Sequence, residues 1–384
     1  MQLNHSAHLA YCTNIHPGED WDQTFDSLER YTLAVRDRVS PDRPFAIGLR
    51  LSDHASRALV RPAALAQFAQ WLRDNDCYVF TINGFPFGRF HGVAIKEQVY
   101  APDWTTPERL AYTNRLFDIL AALLPDGVDG SLSTVPGSFK EFIQTREQLE
   151  QIHENLWRCI EHIAALSAQS GKTLHLGLEP EPLGLLENTA ETLAFFDSME
   201  QRRPGDERLR RHLGINYDTC HFALQFEDPH ASLDAFAKRK INLSKIHLSS
   251  ALRLVPDEQN LAALRPFLDD TYLHQVITRD AGGRLRRYKD LPFAFQETAR
   301  AEEWRVHFHV PLYTPPAAGL NMTTDHLLSV LDWLSLNADA CSHLEMETYT
   351  WEVLPDQFKS ASVADQLARE YEWILPQLSQ RGLA

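Results

Sequence analysis

The sequence has few cysteines, no long apolar run and no basic leader, and each of these shortages limits what the protein can be. The cysteines number five and are scattered without a CxxC pair, an odd and dispersed set that argues against a disulfide framework. No apolar segment approaches the roughly 20 residues that a membrane-spanning helix needs, so no membrane insertion is expected. The N-terminal MQLNHSAHLA lacks a basic region followed by an apolar stretch. Together these features predict a cytoplasmic protein with reduced thiols.

Positive charge is also scarce. Lysine and arginine total 37 against 52 acidic residues, which gives a formal net charge of −15. Such a chain is a poor general partner for phosphate backbones, so no nucleic-acid partner is expected. By contrast, the 44% hydrophobic content is ample for a large buried core.

Apolar strand-like runs alternate with amphipathic helix-like stretches along most of the chain. This alternation predicts an α/β fold with a parallel sheet covered by helices, and the length of 384 residues suits a single (β/α)8 TIM-barrel domain over 1–384. The strand candidates are Leu9–Asn14, Phe45–Leu51, Tyr78–Asn83, Gly130–Val135, Leu174–Glu179, Leu213–Asp218, Ser244–Ser249, Val306–Leu312 and Leu344–Tyr349.

Nine strand candidates are one too many for an eightfold barrel. The surplus lies between 251 and 312, where Ala281-Gly282-Gly283 marks a hairpin turn. We therefore expect an insertion over 251–303, a helix plus a hairpin, at the barrel mouth. The pattern does not decide whether Val306–Leu312 is a barrel strand or part of that insertion.

Four of the strand candidates end in, or carry near their ends, a side chain that can bind a metal. These are Glu179, Asp218, His247 and Glu347. Strands of a barrel converge at their C-terminal ends, where barrel sites form, so these four side chains are expected to meet. Three carboxylates and one imidazole suit a divalent metal such as Mn²⁺, Zn²⁺, Co²⁺ or Mg²⁺.

These segments resemble those of the xylose isomerase-like TIM barrels, which include sugar isomerases, ketose 3-epimerases and endonuclease IV. LGLE179 resembles the first glutamate strand, KIHLSS the histidine strand and LEME347 the final glutamate strand, while YDTCH has the Asp218–His221 spacing of the epimerases. The resemblance implies that Glu179, Asp218, His247 and Glu347 are metal ligands, and that Glu179 and Glu347 are also the catalytic acid and base. It further implies substrate-binding roles for His221 and for Arg253, six residues after His247.

Two assignments stay open at this point. Glu179 and Glu181 share one strand face, as do Glu345 and Glu347, so either member of each pair could be the ligand. The epimerases also carry a second glutamate six residues after the first ligand, where this chain has Leu185. Further segments, AYCTNIHPGE, LSTVPGSFK, LEPEPLGLLE and HFHVPLY, resemble the EboE group of these barrels, whose members are described as metabolite traffic proteins.

Several other residues are candidates for substrate contact. His307 and His309 lie two apart on one strand face, a spacing that can also bind metal. His16 follows the first strand in a His-Pro-Gly turn, and Glu181 lies beside the first ligand. The aromatic stretch Phe85–Phe90 follows the third strand, where it could pack against a sugar face.

The leading functional prediction is a metal-dependent isomerase or epimerase. It would act on a small sugar, polyol or cyclitol-like substrate by proton transfer through a metal-stabilised enediolate. The first alternative is a metal-dependent phosphoester hydrolase similar to endonuclease IV, in which the histidines build a second metal position. The second is a non-catalytic metabolite-binding or traffic protein. A homo-oligomer is compatible with all three.

Overall fold

The computed structural model describes residues 1–89, 91–92, 94–296, 300–316, 319–356 and 359–384. Its centre is a ring of eight parallel strands in the order β1-β13-β7-β6-β5-β4-β3-β2. A parallel bridge between Cys12 and Gly48 links β1 to β2, so the ring is nearly closed. The strands are β1 His8–Tyr11, β2 Phe45–Arg50, β3 Cys77–Asn83, β4 Gly130–Thr134, β5 Leu174–Leu178, β6 Leu213–Asp218, β7 Asn242–Leu248 and β13 His343–Met346.

Helices surround the ring and cover the apolar outer face of its strands. The longest, α6, begins at the N-cap Thr145, whose capping box with Gln148 satisfies backbone groups at both positions, and ends at Gly171, which adopts φ 72°. None of the described helices is both long and apolar enough to cross a membrane. The helices are α1 Trp21–Ser27, α2 Leu33–Val39, α3 Asp53–Leu59, α4 Pro62–Asp74, α5 Pro107–Leu123, α6 Arg146–Ser170, α7 Thr189–Arg202, α8 Arg208–His212, α9 Thr219–Leu224, α10 Pro229–Lys238, α11 Glu258–Leu264, α12 Leu291–Ala294, α13 Thr324–Leu336 and α14 Val363–Ser379.

The expected (β/α)8 barrel is therefore confirmed, and its eight strands coincide with eight of the nine candidates. The ninth candidate, Val306–Leu312, is not a barrel strand. Only Val306 is in a strand, β11, and residues 307–312 carry no strand at all. β11 pairs in antiparallel fashion with β8 and β9 outside the barrel.

A second, antiparallel sheet follows β7 and has the strand order β10-β9-β11-β8-β12. It has its own apolar core, which includes Phe267, Val276 and Trp304. We propose that this sheet, with α11, is the insertion expected over 251–303 and that it continues as far as Met322. Residues 297–299 of the expected insertion lie outside the described residues. The strands are β8 Leu252–Leu254, β9 Val276–Arg279, β10 Leu285–Tyr288, β11 Glu303–Val306 and β12 Asn321–Met322.

A buried carboxyl group on α14 makes the stability of the barrel depend on pH. Glu370 is fully buried and accepts hydrogen bonds from the Leu312 N–H (3.1 Å) and the Thr348 hydroxyl (2.7 Å). Burial raises its pKa to about 7. Because this lies above the unfolded value of about 4.3, the folded state binds the extra proton between these two values. The contribution of Glu370 to stability is therefore lost as the pH rises through that window.

We expect Glu370→Gln, which carries no ionisable group, to lack this pH dependence. The free energy of unfolding of Glu370→Gln minus that of the wild type should rise by about 2 to 3 kcal/mol between pH 5 and pH 8. Denaturant titrations of the metal-free proteins at several pH values measure this difference. Parallel pH profiles for the two proteins would contradict the assignment.

Candidate metal centre

The four side chains expected to bind a metal meet at the C-terminal end of the barrel. Glu179 directly follows β5, Asp218 ends β6, His247 lies near the end of β7, and Glu347 directly follows β13. One ligand atom from each lies within 4.8 Å of the others. All four residues are buried.

His247 is the centre of this group. Its Nδ1 lies 3.1 Å from Glu179 Oε1, 3.5 Å from Asp218 Oδ2 and 3.1 Å from Glu347 Oε2. Burial lowers the pKa of His247, but the charges of Glu347 and Glu179 outweigh it, so the pKa stands well above its usual value. A proton on Nδ1 therefore takes the place that a cation would take among the carboxylates.

Among the described residues, some carboxylate oxygens in this group lack a hydrogen-bond partner, a role that a divalent metal could fill. Asp218 caps α9 with Oδ1, which accepts from the N–H groups of Cys220 (2.7 Å) and His221 (3.1 Å). The other carboxylate oxygen of Asp218, Oδ2, faces His247. Within the described part of the chain, neither this atom nor Glu179 Oε2 has a hydrogen-bond partner. Buried carboxylate oxygens without partners are costly unless a cation satisfies them. The residues present thus fit a divalent ion.

Glu345 and Glu347, which the sequence does not distinguish as ligands, lie at different depths in the barrel. Glu345 reaches His247 Nε2 from inside the barrel (2.9 Å), whereas Glu347 reaches Nδ1 at the barrel mouth. Burial raises the pKa of Glu345, but Lys245 and His247 outweigh it and lower the pKa to about 2. The four-residue cluster contains Glu347 and not Glu345.

Glu181 lies outside that cluster, because the chain turns away from the barrel axis after β5. It groups instead with His221 and His307. The Nδ1 atom of His307 lies 3.9 Å from Glu181 Oε1. Burial, with the charge of Glu179 adding to it, holds the pKa of Glu181 well above its usual range. The structure thus brings Glu179 to the cluster and places Glu181 in the wall beside it.

Three histidines form a second cluster next to the first. His221 Nε2 lies 3.1 Å from His307 Nε2, which lies 3.2 Å from His309 Nε2. The Nδ1 atoms point away: that of His221 toward the Pro180 carbonyl (3.0 Å) and that of His309 toward the Glu347 carbonyl (2.8 Å). A carbonyl can only accept, so each of these Nδ1 atoms carries the ring proton.

The third ring is fixed in the same way. His307 Nδ1 faces Gln275 Oε1 (2.7 Å), and the amide of Gln275 is oriented because its Nε2 donates to the Pro182 carbonyl (3.2 Å). Burial lowers the pKa of His221 to about 4 and that of His307 well below its usual value, so both rings are neutral near pH 7. Unprotonated Nε2 atoms therefore face one another, an arrangement that a second cation would satisfy.

The charge of the whole group favours the same interpretation. One lysine, Lys245, contacts the buried carboxylates and balances one of them. Burial favours the neutral form of Glu181. If the other four buried carboxylates of the group ionise, three negative charges remain beside Lys245, which favours the binding of divalent cations. The carboxylates are Glu179, Glu181, Asp218, Glu345 and Glu347.

A cavity opens onto Glu179, Glu181 and Glu347. Four aromatic residues also line it, Phe85, Tyr100, Tyr272 and Tyr349. Phe85 belongs to the expected aromatic stretch Phe85–Phe90, of which Phe90 lies outside the described residues.

Among the described residues that line this cavity, the one lysine or arginine is Lys96. Its ammonium donates to the Asp269 carbonyl (2.9 Å), the Tyr272 carbonyl (2.7 Å) and Asp290 Oδ2 (2.8 Å). Its three protons are thereby used in holding the antiparallel sheet to the barrel. A lining of this kind offers no cation to a substrate phosphate.

The structure does not bring Arg253 or His16 into the cavity. Arg253 lies in β8, which has left the barrel for the antiparallel sheet, and it pairs with Asp325 at 2.7 Å. His16 Nε2 lies within hydrogen-bond distance of the Tyr11 hydroxyl (2.9 Å), and the His16 ring stacks on Tyr31. Both side chains are therefore engaged elsewhere.

Two asparagines outside the predicted ligand set contact the candidate metal centre. Asn14, three residues after β1, and Asn83, at the end of β3, both donate to Glu347 Oε1, at 2.7 and 3.1 Å. They hold that oxygen away from the cluster and leave Oε2 facing His247. The signal was present in the sequence, since each is a polar residue at the end of a predicted strand.

Comparison with known proteins bears on the fold. No protein-family model and no curated protein sequence matches the chain, so the resemblance to the EboE group gains no support there. Similar solved structures include L-ribulose 3-epimerase, at 13% identity and a TM-score of 0.53, with 99% of this chain and 96% of that chain covered.

Two further structures give the same result. A xylose isomerase domain protein from Planctomyces limnophilus is 16% identical, with a TM-score of 0.50 and coverage of 87% of this chain and 89% of that one. D-allulose 3-epimerase from Methylomonas sp., in complex with D-allulose, is 14% identical, with a TM-score of 0.50 and coverage of 98% and 99%. The fold of this chain is therefore that of the xylose isomerase-like TIM barrels.

Proposed function

We propose that the protein is a metal-dependent isomerase or epimerase of a small, uncharged sugar, polyol or cyclitol. The observation that carries the proposal is the convergence of Glu179, Asp218 and Glu347 on His247 Nδ1 beside a cavity. A divalent ion held there, such as Mn²⁺, Zn²⁺, Co²⁺ or Mg²⁺, would polarise a substrate carbonyl and stabilise the charge of an enediolate.

The carboxylates are placed to move protons on two sides of a substrate. Glu179 follows β5 and Glu347 follows β13, and these strands are separated in the ring by β6 and β7. Their side chains therefore enter the centre from different directions. Glu347 is fixed through Oε1 by two amides, which supports its role as the positioned base, and Glu179 would return the proton.

The lining of the cavity supports an uncharged substrate. Its aromatic wall suits the apolar face of a sugar ring, while Glu181 and His307 offer hydrogen bonds to hydroxyl groups. With Lys96 already engaged, no lysine or arginine of the described lining is free to pair with a substrate phosphate. Ketoses such as the D-allulose bound by the Methylomonas protein are therefore suitable first compounds to assay.

The cellular location and partners expected from the sequence stay part of the proposal. All five cysteines are free and buried, which supports a cytoplasmic location. A small-molecule partner, without nucleic acid, and a homo-oligomeric state remain predictions.

The histidine cluster supports one alternative. A second divalent ion held by His221, His307 and His309 would give the paired-metal arrangement that activates water in phosphoester hydrolases. The lack of a free cation in the described cavity lining argues against a phosphoester substrate. A metabolite-binding or traffic protein without turnover would keep the same pocket.

The test combines metal analysis with solvent exchange. Protein purified without chelators would be analysed for bound metals, loaded with Mn²⁺ or Co²⁺, and incubated with ketoses and inosose-like cyclitols in deuterium oxide. Deuterium at a carbon beside the carbonyl, seen by NMR, supports the proposal. Hydrolysis of a phosphoester without any exchange favours the hydrolase, and tight binding without either reaction favours the traffic protein.

A further inference from the structure

An ion pair is buried in the barrel beneath the candidate metal centre. Lys245 on β7 and Glu345 on β13 are both 0% exposed, and the lysine ammonium contacts Glu345 Oε2 and the Ser133 hydroxyl (3.1 Å). Burying two charges costs more free energy than burying apolar residues of the same volume, so the pair is poorly explained as a stabilising contact. It therefore calls for a role in the site above it.

The Lys245–Glu345 ion pair contacts His247 through the Glu345 carboxylate. The oxygen that accepts from Lys245, Glu345 Oε2, lies 2.9 Å from His247 Nε2, while the other ring nitrogen faces Glu179 and Glu347. An ionised carboxylate has no proton to give, so Nε2 must donate. A neutral imidazole has one proton, and placing it on Nε2 leaves the lone pair of Nδ1 directed at the carboxylate cluster.

Strand β2, which lies beyond β1 in the ring, leaves room for this carboxylate. Gly48 on β2 lies against Glu345, and a Cβ atom at position 48 would stand 1.8 Å from Glu345 Oε1 and 2.7 Å from the Tyr11 carbonyl oxygen. Glycine weakens a strand, because it orders a flexible residue and packs no side chain. Its presence there is explained by the close approach of the Glu345 carboxylate.

We propose that the Lys245–Glu345 pair is a positioning unit that keeps the ring proton of His247 on Nε2 and so presents Nδ1 to the metal. The inference rests on the metal site of the proposed function, and it deepens that proposal by naming the ligating nitrogen. Glu345 supplies the acceptor that selects the tautomer. Lys245 balances its charge, because an unpaired carboxylate so close to Glu179, Asp218 and Glu347 would add repulsion inside the barrel.

The pair should also set the strength of the metal ligand. A carboxylate on the second nitrogen of a metal-binding histidine fixes its orientation and raises the basicity of the ligating nitrogen. Loss of such a partner typically weakens metal binding about 10- to 100-fold. Glu345 and Lys245 thus act through His247, and neither lines the described cavity.

The experiment measures zinc affinity and the tautomer of His247. Wild-type protein, Glu345→Gln and Glu370→Gln would be titrated with Zn²⁺ against a chromophoric chelator. Glu370→Gln is the matched control, since it removes another fully buried glutamate, one whose hydrogen bonds run to Leu312 and Thr348 and not to the four expected ligands. The zinc-loaded wild type, labelled with ¹⁵N at histidine, would be examined by NMR, with His247→Gln used to assign the ring signals.

We expect Zn²⁺ affinity to fall about 10- to 100-fold in Glu345→Gln and to change less than about twofold in Glu370→Gln. The wild-type spectrum should show a protonated Nε2 and a zinc-bound Nδ1 for His247, a result that does not depend on the folding of Glu345→Gln. Equal affinity in Glu345→Gln and wild type, or zinc on Nε2, would overturn the inference. Zinc binding as expected without any isotope exchange would overturn only the proposed function, whereas a wild type that takes up no divalent metal would overturn both.

Discussion

Replacing His247 by alanine should leave a folded protein that no longer retains its metal. The substitution removes the one nitrogen on which Glu179, Asp218 and Glu347 converge, and it leaves three carboxylates facing one another. The loss of affinity should exceed the roughly 10- to 100-fold typical of groups that only support a ligand. The side chain lies at the barrel mouth and not in the apolar core between strands and helices, so the fold should persist.

Elemental analysis after dialysis against metal-free buffer measures the effect, and far-ultraviolet circular dichroism checks the fold. His326→Ala is a matched control, because His326 is also buried but contacts Tyr217 (3.1 Å) on the outer side of β6. The control should keep its metal. Full metal occupancy in His247→Ala would show that the four residues do not form the site.

The barrel itself could be predicted because its evidence is periodic and local. Eight apolar runs recur between amphipathic stretches, and each run is buried on both faces in the structure, as in Phe45–Arg50. The antiparallel sheet was harder to place. Val306–Leu312 has the composition of a strand, but after Val306 the described chain forms isolated backbone hydrogen bonds, such as that from the His307 N–H to the Gln275 carbonyl, and no strand. Strand pairing is decided by tertiary contacts.

The sequence predicts which side of its strand each site residue faces, but not how deep in the barrel that residue lies. Residues two apart on a strand point to the same side, so sequence alone gives Glu345 and Glu347 equal standing. The structure separates them by one layer: Glu345 meets Lys245 inside the barrel and Glu347 meets the cavity. Depth depends on where each strand enters the ring, which the sequence pattern does not contain.

Spacing along the chain does not predict proximity where the chain leaves the barrel. Arg253 follows His247 by six residues, the spacing of the epimerases, but β8 carries it into the antiparallel sheet. The same sheet brings His307 and His309 back over the centre from about sixty residues away. The second cluster is therefore shared between the barrel, through His221, and the segment that follows β11, which belongs to the proposed insertion.

This sharing ties the chemistry to the position of the insertion. Lys96 and Arg287 fasten the insertion to the barrel through Asp290 (2.8 Å) and Glu187 (2.7 Å). Movement of the insertion would separate His307 and His309 from His221 and would also widen the cavity. Substrate entry and the integrity of the histidine cluster are thus expected to oppose each other.

Replacing Glu347 by glutamine should abolish most of the isotope exchange that the proposed function requires. Glutamine keeps an oxygen for the metal and preserves the shape of the side chain, but it removes the basic group that accepts the carbon-bound proton. Loss of a positioned general base typically costs a factor of about 10² to 10⁴. Exchange at saturating substrate in deuterium oxide, followed by NMR, measures it on metal-loaded protein.

Glu181→Gln is the informative comparison, because both glutamates line the cavity and only Glu347 belongs to the four-residue cluster. Burial favours the neutral form of Glu181, and an amide imitates a neutral acid. Its substitution should therefore reduce exchange by about tenfold or less, in line with the modest net value of one hydrogen bond. A larger loss in Glu181→Gln than in Glu347→Gln would move the base to Glu181. The proton would then be taken at the histidine cluster, on the side of the cavity covered by the insertion.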